Sequence, residues 1–359
     1  MGNLKFLRDR EDEFDSRKFI NELYAASKSL GILEEKINAY KFENILVPLL
    51  NKKEAISSMY IEGTQTTISS VLEEEINEDR ERDRTNIETN NHSKALFIGT
   101  SYLNQNDFNH EFIKKLHEIL LKDIVPKNKE ETIGKYKTKD NFIVNSVGTV
   151  VFSPPSFKET QKYMDEIIDY MNDTKNDINP LIKTAIIHSQ FESIHPFDDG
   201  NGRIGRLLIT LCLYKYKVIK IPFFYISEAI SQEKTIYYSK LMDARKNDFT
   251  EWIKFFLKMC VVQAEKHIRY IDNLNMIYDR TRDRIKKIIN TQKYEQIISC
   301  IFTQPIVNSE YLAKKINVSL SQARKYLVAL ENANILEGDD KTRGRKYYFT
   351  ELLDLLKNN

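Results

Sequence analysis

The sequence predicts a mostly α-helical protein with one small β-hairpin and a C-terminal unit of short helices and strands. Apolar residues recur at helical intervals over most of the 359 residues. The stretch from Asn141 to Phe152 is instead rich in β-branched and aromatic residues around a central Val-Gly-Thr, which is typical of a hairpin. From Thr291 the pattern changes to three short helices, followed by a strand pair around Gly338 to Phe349.

Composition indicates a folded protein of two or three domains in a reducing compartment. With 54 Lys and Arg against 52 Asp and Glu, the formal net charge of +2 favours no class of partner. Cys212, Cys260 and Cys300 are far apart in apolar helical settings, which is typical of buried thiols. The mixed-charge run from Glu73 to Arg84 is interpreted as a solvated helix or loop. No run approaches the ~20 apolar residues of a membrane span, and no signal peptide is evident. We therefore expect a cytoplasmic protein.

An N-terminal helical region ends in a helix with an unusual last turn. Pro48 is tolerated at the first position of a helix, so we expect a helix to begin there. Gly63 is a favoured residue just past a helix end. Glu62 would then lie in the last turn, where a carboxylate opposes the helix dipole at a cost of roughly 0.3 to 1 kcal/mol. This placement predicts a cationic partner for Glu62.

The run from His195 to Arg206 concentrates a base, carboxylates, three glycines and two arginines between two helical patterns. Glycines at a helix start let backbone N–H groups converge on an anion, which suits a pyrophosphate. Arg203 and Arg206 lie three apart, so both can reach the outer oxygens of a polyphosphate. Asp199 suits Mg²⁺, which prefers one or two carboxylates plus phosphate oxygens. His195 is available as a general base.

Two other interpretations of this run follow from residue type alone. An Asp-Asp-Gly-Asn-Gly sequence is also an ordinary turn. The residues from Gly200 to Gly205 fit the G-x-G-x-x-G dinucleotide pattern, which requires a preceding strand. Here the preceding residues are helical in period and then carry Pro196, so no buried strand leads into the turn. The dinucleotide interpretation is therefore disfavoured.

The run resembles the complete signature of the Fic family, His-Pro-Phe-x-Asp/Glu-Gly-Asn-Gly-Arg-x-x-Arg, with every fixed position filled. The resemblance implies a helical Fic core and transfer of AMP from ATP to a Ser, Thr or Tyr hydroxyl of a target protein or of the chain itself, with release of pyrophosphate. It implies that His195 deprotonates the hydroxyl and that Asp199 holds Mg²⁺ or Mn²⁺. The residues implied to bind the ATP phosphates are Gly200, Asn201, Gly202, Arg203, Ile204, Gly205 and Arg206. Gly202 favours AMP transfer, because a kinase-like branch of the family has Lys there.

The residues from Ser58 to Gly63 resemble a second Fic pattern, Ser/Thr-x-x-x-Glu-Gly/Asn, which marks an inhibitory helix. Its position before the signature resembles the class with N-terminal inhibition. The resemblance implies that Glu62 pairs with Arg206 and occupies the guanidinium that should hold the γ-phosphate. ATP then binds in a pose unsuited to transfer, and Ser58 helps to fix the helix.

The resemblance assigns two further groups of residues to the site. The hairpin, with Val147, Gly148 and Thr149 at its turn, corresponds to a flap that aligns the target segment by strand addition, although a structural hairpin fits the sequence nearly as well. Tyr238 and Tyr237 correspond to tyrosines near the adenine. Because adjacent residues on a helix face different directions, at most one would reach the nucleotide, and core packing is an equal alternative.

The C-terminal pattern resembles a winged helix-turn-helix. Ser319 can cap its third helix, and the residues that could contact DNA phosphates are Gln322, Arg324, Lys325, Lys341, Arg343, Arg345 and Lys346. Protein docking or dimerisation is the alternative use of such a unit. The predicted divisions are a helical region with the inhibitory motif at 1–90, the catalytic core at 91–262, a helical linker at 263–290 and the winged helix-turn-helix at 291–359.

Two alternatives to an autoinhibited adenylyltransferase stay open from the sequence. One is a DNA-binding transcriptional regulator whose Fic domain senses a nucleotide. The other is a Fic enzyme that removes AMP or uses another nucleotide donor, because donor choice depends on residues outside the signature. The sequence leaves open whether the chain forms a homodimer or binds DNA.

Overall fold

A computed structural model of the chain describes residues 4–39, 43–76, 83–144 and 147–358. As the sequence predicts, this part of the chain is mostly helical. Its α-helices are α1 (Ile20–Asn38), α2 (Glu43–Ile61), α3 (Ile68–Glu75), α4 (Arg84–Leu103), α5 (His110–Leu121), α6 (Phe157–Asn172), α7 (Pro180–Ile194), α8 (Asn201–Lys215), α9 (Ser227–Gln232), α10 (Lys234–Arg245), α11 (Thr250–Ile288), α12 (Tyr294–Thr303), α13 (Ser309–Ile316), α14 (Leu320–Asn332) and α15 (Thr350–Asn358). Short 3-10 helices cover Leu7–Phe14, Ser16–Phe19 and Lys127–Thr132.

Helices α7 and α8 form the centre of the core. Every side chain of α7 from Leu181 to Ile194 is buried, because α6, α8, α10 and α11 surround it. Trp252 of α11 is fully buried and donates its indole N–H to the carbonyl of Ala185 at 2.8 Å. The loop that joins α7 to α8 is therefore held between two rigid, deeply packed helices.

Helix α2 begins earlier than the sequence suggested. It starts at Glu43, so Pro48 lies inside the helix and does not open it. A proline inside a helix removes one backbone hydrogen bond, but burial of Leu49 and Leu50, which are 0% and 2% exposed, favours a continuous helix here. Tertiary packing thus overrides a local signal.

The predicted hairpin is present. Strands β1 (Ile143–Val144) and β2 (Val150–Phe152) pair antiparallel, with Ile143 opposite Phe152. Gly148 has a φ of 80°, which favours glycine. Asn145 and Ser146 of the predicted hairpin lie outside the described residues.

The C-terminal unit, residues 291–358, contains α12 to α15 and a three-stranded antiparallel sheet. Strands β3 (Ile306–Asn308), β4 (Glu337–Gly338) and β5 (Lys346–Tyr348) are ordered β3-β5-β4. The three predicted helices and the strand pair are present, and the structure adds β3 before α13 and α15 at the end. Its assignment as a winged helix-turn-helix stays a prediction.

None of the helices in the described part of the chain combines the length and apolar character that crossing a membrane requires. The three cysteines are buried and free. Burial raises the pKa of the Cys212 thiol to about 12, which is typical of an unreactive core thiol.

Helix α2 is fixed to the core by a buried carboxyl group. Glu54 is 3% exposed and accepts the backbone N–H of Ser227 at 3.0 Å, and it also pairs with the Ser227 hydroxyl. Burial raises the pKa of Glu54 to about 7, although the Ser227 hydrogen bonds lower it. Glu54 thus joins α2 to the start of α9.

We expect Glu54 to make stability depend on pH. Its folded-state pKa lies above the ordinary value, so its neutral form favours folding at low pH. This contribution, up to about 3 kcal/mol, is lost as pH rises from about 4.5 through 7. Glu54→Gln cannot ionise. Thermal unfolding from pH 5 to 8 should show the midpoint of the parent protein falling by a few degrees relative to the variant. A constant difference across this range would contradict the assignment.

Candidate active site

The loop between α7 and α8 is shaped by two left-handed residues and one amide. His195 has a φ of 48° and ends α7, while Gly200, with a φ of 79°, precedes α8. The side chain of Asn201 accepts the backbone N–H of Phe197 at 2.9 Å and donates to its carbonyl at 2.8 Å. Asn201 is thus occupied in holding the loop, so only its backbone N–H is available for the predicted phosphate contact.

Phe197 and His117 stabilise the loop between α7 and α8 from the side of the core. Phe197 is fully buried and stacks on the His117 ring at 3.9 Å between centroids. His117 donates from Nε2 to the Asp199 carbonyl at 3.0 Å and accepts the Gly134 N–H at Nδ1. Burial lowers the pKa of His117 to about 4, so the ring is neutral. Sequence spacing gave no signal for this role, because His117 lies on α5, far from the signature.

The segment before the hairpin is bonded directly to the same loop. Asn141 donates from Nδ2 to the carbonyls of His195 and Phe197, at 3.1 and 3.0 Å. Lys137 donates its backbone N–H to Pro196 at 2.8 Å and its ammonium to Asn141 and Ile194. The segment that leads into the hairpin is therefore fixed beside His195.

His195 lies in a positively charged setting that favours its neutral form. Burial lowers its pKa to about 4, and the charges of Arg245 and Lys137 add to this effect. A neutral imidazole can accept a proton, which general-base catalysis requires. The sequence did not single out Arg245 or Lys137.

Arg206 lies at the centre of a buried polar cluster formed with α2. Its side chain is 1% exposed and pairs through Nη2 with Glu62 at 2.6 Å. Its Nε donates to the Ser58 hydroxyl at 2.9 Å, and Nη2 also donates to the Ser58 carbonyl at 3.0 Å. Burial lowers the pKa of Arg206, but Glu62, Tyr237 and Glu192 together outweigh burial and the pKa is raised. The predicted pairing of Glu62 with Arg206 is present in the structure.

The carboxylate of Glu62 lies at the first turn of α8. A Cβ built on Gly202 would clash with Glu62 Oε1, so a side chain at this position would displace the carboxylate from the turn. Burial raises the pKa of Glu62, but Arg206 and Arg203 outweigh burial and hold the pKa below its ordinary value. The N-terminal turn of a helix carries unpaired N–H groups and favours negative charge. Glu62 therefore occupies an anion-binding position.

The end of α2 matches the sequence prediction within one residue. Helix α2 ends at Ile61, Glu62 follows it, and Gly63 adopts a φ of 97°. The N–H of Thr64 bonds to the carbonyl of Met59 at 3.1 Å, which closes the helix end.

Asp199 and Arg203 lie beside this turn. Asp199 is about half exposed and accepts the Gly200 N–H at 2.6 Å and Arg203 Nη2 at 3.3 Å. Arg203 also lies 3.7 Å from the Glu88 carboxylate of α4. No group of three or more His, Cys, Asp or Glu that could hold a metal occurs within residues 4–39, 43–76, 83–144 and 147–358. One exposed carboxylate beside an anion-binding turn fits Mg²⁺ that takes its other ligands from phosphates and water.

Other predicted site residues have different surroundings. The Ile204 side chain is fully buried, and a Cβ on Gly205 would lie 2.4 Å from Glu192 Oε1 of α7, so these two residues pack α8 against α7. Tyr237 is 1% exposed and its hydroxyl lies 2.9 Å from His188 Nε2. Its ring is enclosed in the core. Tyr238 is 40% exposed and donates to the Ile61 carbonyl at 3.1 Å.

The predicted hairpin turn is exposed to solvent. Val147 is 80% exposed, and Gly148 and Thr149 are also exposed. Phe152 at the end of β2 lies under the Arg245 guanidinium, 4.9 Å from the ring centroid. A role for these residues in holding a target segment stays a prediction.

Sequence reasoning missed a buried glutamate, Glu192, and a largely buried arginine, Arg245, next to the signature. Glu192 of α7 is 6% exposed, and burial raises its pKa to about 7 although Arg206 lowers it. Arg245 of α10 donates from Nη2 to the Glu192 carbonyl at 3.2 Å. Burial lowers the pKa of Arg245. Because Glu192 and Arg245 are far apart in the sequence, no pattern of spacing associates them.

Two of the cations predicted to contact DNA are engaged within the protein. Arg345 pairs with Glu331 at 2.7 Å, and Lys346 pairs with Glu73 at 2.6 Å. Arg324, Lys325, Lys341 and Arg343 are exposed. The internal pairs reduce the positive charge that the predicted wing presents.

Two segments of the chain match models of one protein family. Residues 107–213 match the Fic/DOC family and residues 20–101 match the Fic/DOC family N-terminal region, together more than half of the chain. A probable protein adenylyltransferase of Aquifex aeolicus is 29% identical over 274 residues, which are 74% of this chain and 77% of that protein. A protein adenylyltransferase of Caenorhabditis elegans is 27% identical over 120 residues, 33% of this chain and only 22% of that protein.

The fold is also that of solved Fic proteins. The crystal structure of a Fic family protein from Desulfovibrio desulfuricans superposes with a TM-score of 0.55 at 21% identity. The match covers 90% of this chain and 95% of that chain. At this identity the similarity establishes the fold.

We expect Ser58→Ala to destabilise the protein. The change removes the acceptor of Arg206 Nε and leaves a buried charged donor unpaired, at a cost of about 1–3 kcal/mol. Ser57→Ala is a matched control, because Ser57 neighbours Ser58 on α2 without contacting Arg206. The midpoint of thermal unfolding should fall for Ser58→Ala and stay within about 1 °C of the parent for Ser57→Ala. Equal midpoints for the two variants would contradict the importance of this bond.

Proposed function

The chain belongs to the Fic/DOC family, and from this premise we propose that it transfers AMP from ATP to a Ser, Thr or Tyr hydroxyl of a protein and releases pyrophosphate. One observation carries this proposal. A carboxylate, that of Glu62, lies on Arg206 at the first turn of α8, where the signature predicts an ATP phosphate. A site that binds the Glu62 carboxylate is also suited to bind a phosphate, because both groups are anions.

The chemistry follows from the residues around the loop. The hydroxyl oxygen of the target attacks the α-phosphorus of ATP, the bond to the β-phosphate oxygen breaks, and pyrophosphate leaves with the electron pair of that bond. His195 accepts the hydroxyl proton, and its lowered pKa keeps it neutral near pH 7. Backbone N–H groups at the start of α8 and the side chains of Arg203 and Arg206 bind the phosphates.

Asp199 would hold Mg²⁺ or Mn²⁺ against the phosphates. The ion, when bound, neutralises phosphate charge and helps pyrophosphate to leave. The half-exposed carboxylate and its position before α8 support this role. Arg203, which lies 3.3 Å from Asp199 Oδ1, would then exchange that contact for a phosphate oxygen.

The same geometry supports autoinhibition. Arg206 cannot bind the γ-phosphate fully while its Nη2 group donates to Glu62 and Ser58. The Glu62 carboxylate also repels a phosphate at the first turn of α8. Tyr238 donates to Ile61 and so holds the end of α2 in this position. Transfer in the parent protein is therefore expected to be slow.

We expect Glu62→Gly to raise AMP transfer by more than about tenfold, because hydrogen bonds to charged groups are worth about 1.5–3 kcal/mol. Purified protein is incubated with Mg²⁺ and α-labelled ATP, and the initial rate of label incorporation into the protein is measured. Mass spectrometry of the adduct distinguishes AMP from another nucleotide.

The double variant Glu62→Gly, His195→Ala is the control and should bind ATP without transferring label. If Glu62→Gly binds ATP yet transfers no nucleotide, the proposed activity is wrong. If it transfers at the parent rate, only autoinhibition is wrong.

The pH dependence of transfer reports on His195. In the Glu62→Gly variant we expect the initial rate at saturating ATP to stay nearly constant on the acid side from pH 8 to about 5, because the pKa of His195 is lowered to about 4. Protonation below this pKa removes the base and the rate falls. Glu62 raises the pKa of His195, so its removal does not shift the profile upward. A half-maximal rate near pH 6.5 would show that His195 has an ordinary pKa and would refute this prediction.

A further inference from the structure

The C-terminal unit covers the segment that follows Glu62. Helix α3 begins at Ile68, soon after Glu62, and its residues Val71 and Leu72 are 1% and 0% exposed. Strand β3 and helix α15 pack on α3, and α12 packs directly on α2. The unit therefore contacts both the helix that carries Glu62 and the helix after it.

Two buried amides of the C-terminal unit bind the backbone at the end of α3. Gln304 donates from Nε2 to the Leu72 carbonyl at 2.6 Å, and Asn308 donates from Nδ2 to the Ile76 carbonyl at 3.4 Å. Both amides are nearly enclosed, at 2% and 5% exposed. The last carbonyls of a helix have no partner within it, so the amides supply what α3 itself lacks.

Charged contacts also join α3 to the C-terminal unit and to α2. Lys346 of β5 pairs with Glu73 at 2.6 Å, and Tyr348 donates to Glu73 at 3.4 Å. Lys52 of α2 pairs with Glu75 at 2.6 Å, with both side chains largely buried. The interpretation of this charged run as solvated is therefore wrong for Glu73 and Glu75. Residues 77–82 of the run lie outside the described residues.

We propose that the C-terminal unit holds α3, and through it α2, in the position that places Glu62 on Arg206, so that weakening the contact of this unit with α3 activates the enzyme. The inference rests on the proposed transfer activity and its autoinhibition. Only the short segment from Glu62 to Thr67 separates α2 from α3, so a shift of α3 reaches α2. Contacts made only in the inhibited state shift the population toward that state.

Lys346→Glu tests the charged contact. It places a carboxylate beside Glu73, and we expect the initial rate of label incorporation from α-labelled ATP to rise several-fold. Adding Glu73→Lys restores the pair and should return the rate to that of the parent protein. Gln304→Ala tests the amide contact independently and should also raise the rate. Lys315→Ala, an exposed lysine of α13 in the same unit, is the matched control and should leave the rate unchanged.

Hydrogen exchange gives a readout that does not depend on activity. Amides of residues 54–62 should exchange faster in Lys346→Glu and in Gln304→Ala, and at the parent rate in the charge-swapped double variant. Combining Lys346→Glu with Glu62→Gly should add no further activity, because both changes act through the same ion pair.

The outcomes separate the inference from the proposed function. If Glu62→Gly is active while Lys346→Glu and Gln304→Ala keep the parent rate and parent exchange, the inference is overturned and the transferase assignment stands. If Glu62→Gly transfers nothing, the proposed function fails, and exchange alone decides whether the C-terminal unit holds α2. Faster exchange in Lys346→Glu that the Glu73→Lys change does not reverse indicates general destabilisation and also overturns the inference.

Discussion

The guanidinium of Arg206 is a full positive charge that the fold encloses almost completely. An unpaired charge in such a place costs several kcal/mol, so the structure must supply acceptors. Ser58 supplies its hydroxyl and carbonyl, and Glu62 supplies a carboxylate. All three acceptors are on the last turns of α2 or just after it, so the position of this helix depends on the charge of Arg206.

The same requirement bears on the proposed switch between inhibited and active states. Arg206 needs an anion, and both the Glu62 carboxylate and a phosphate satisfy that need. Neither alternative leaves the buried cation unpaired, so exchange between them costs far less than leaving Arg206 without an anion. In the proposed switch, the balance depends on how firmly α2 is held by Glu54, Tyr238 and the contacts of the C-terminal unit.

The neighbouring charges that act most strongly on His195, the proposed base, are positive. Arg245 and Lys137 lie close enough to His195 to disfavour its protonation, and burial acts in the same direction. Glu192, three residues earlier on α7, is buried beside Arg206 and Arg245, and its pKa is raised to about 7. The cleft thus combines cations with a neutral imidazole, which is the arrangement that the proposed transfer requires.

The sequence by itself determined the helical class, the hairpin and the family, because helical periodicity, β-branched residues and a signature with fixed spacing are local properties. It also predicted the pairing of Glu62 with Arg206, though only through resemblance. Only the tertiary structure decided that α2 begins before Pro48, that Asn201 holds the loop, that His117 and Asn141 support it, and that Glu73 faces the C-terminal unit. These contacts join residues far apart in the chain, and no local pattern records which distant side chains packing will bring together.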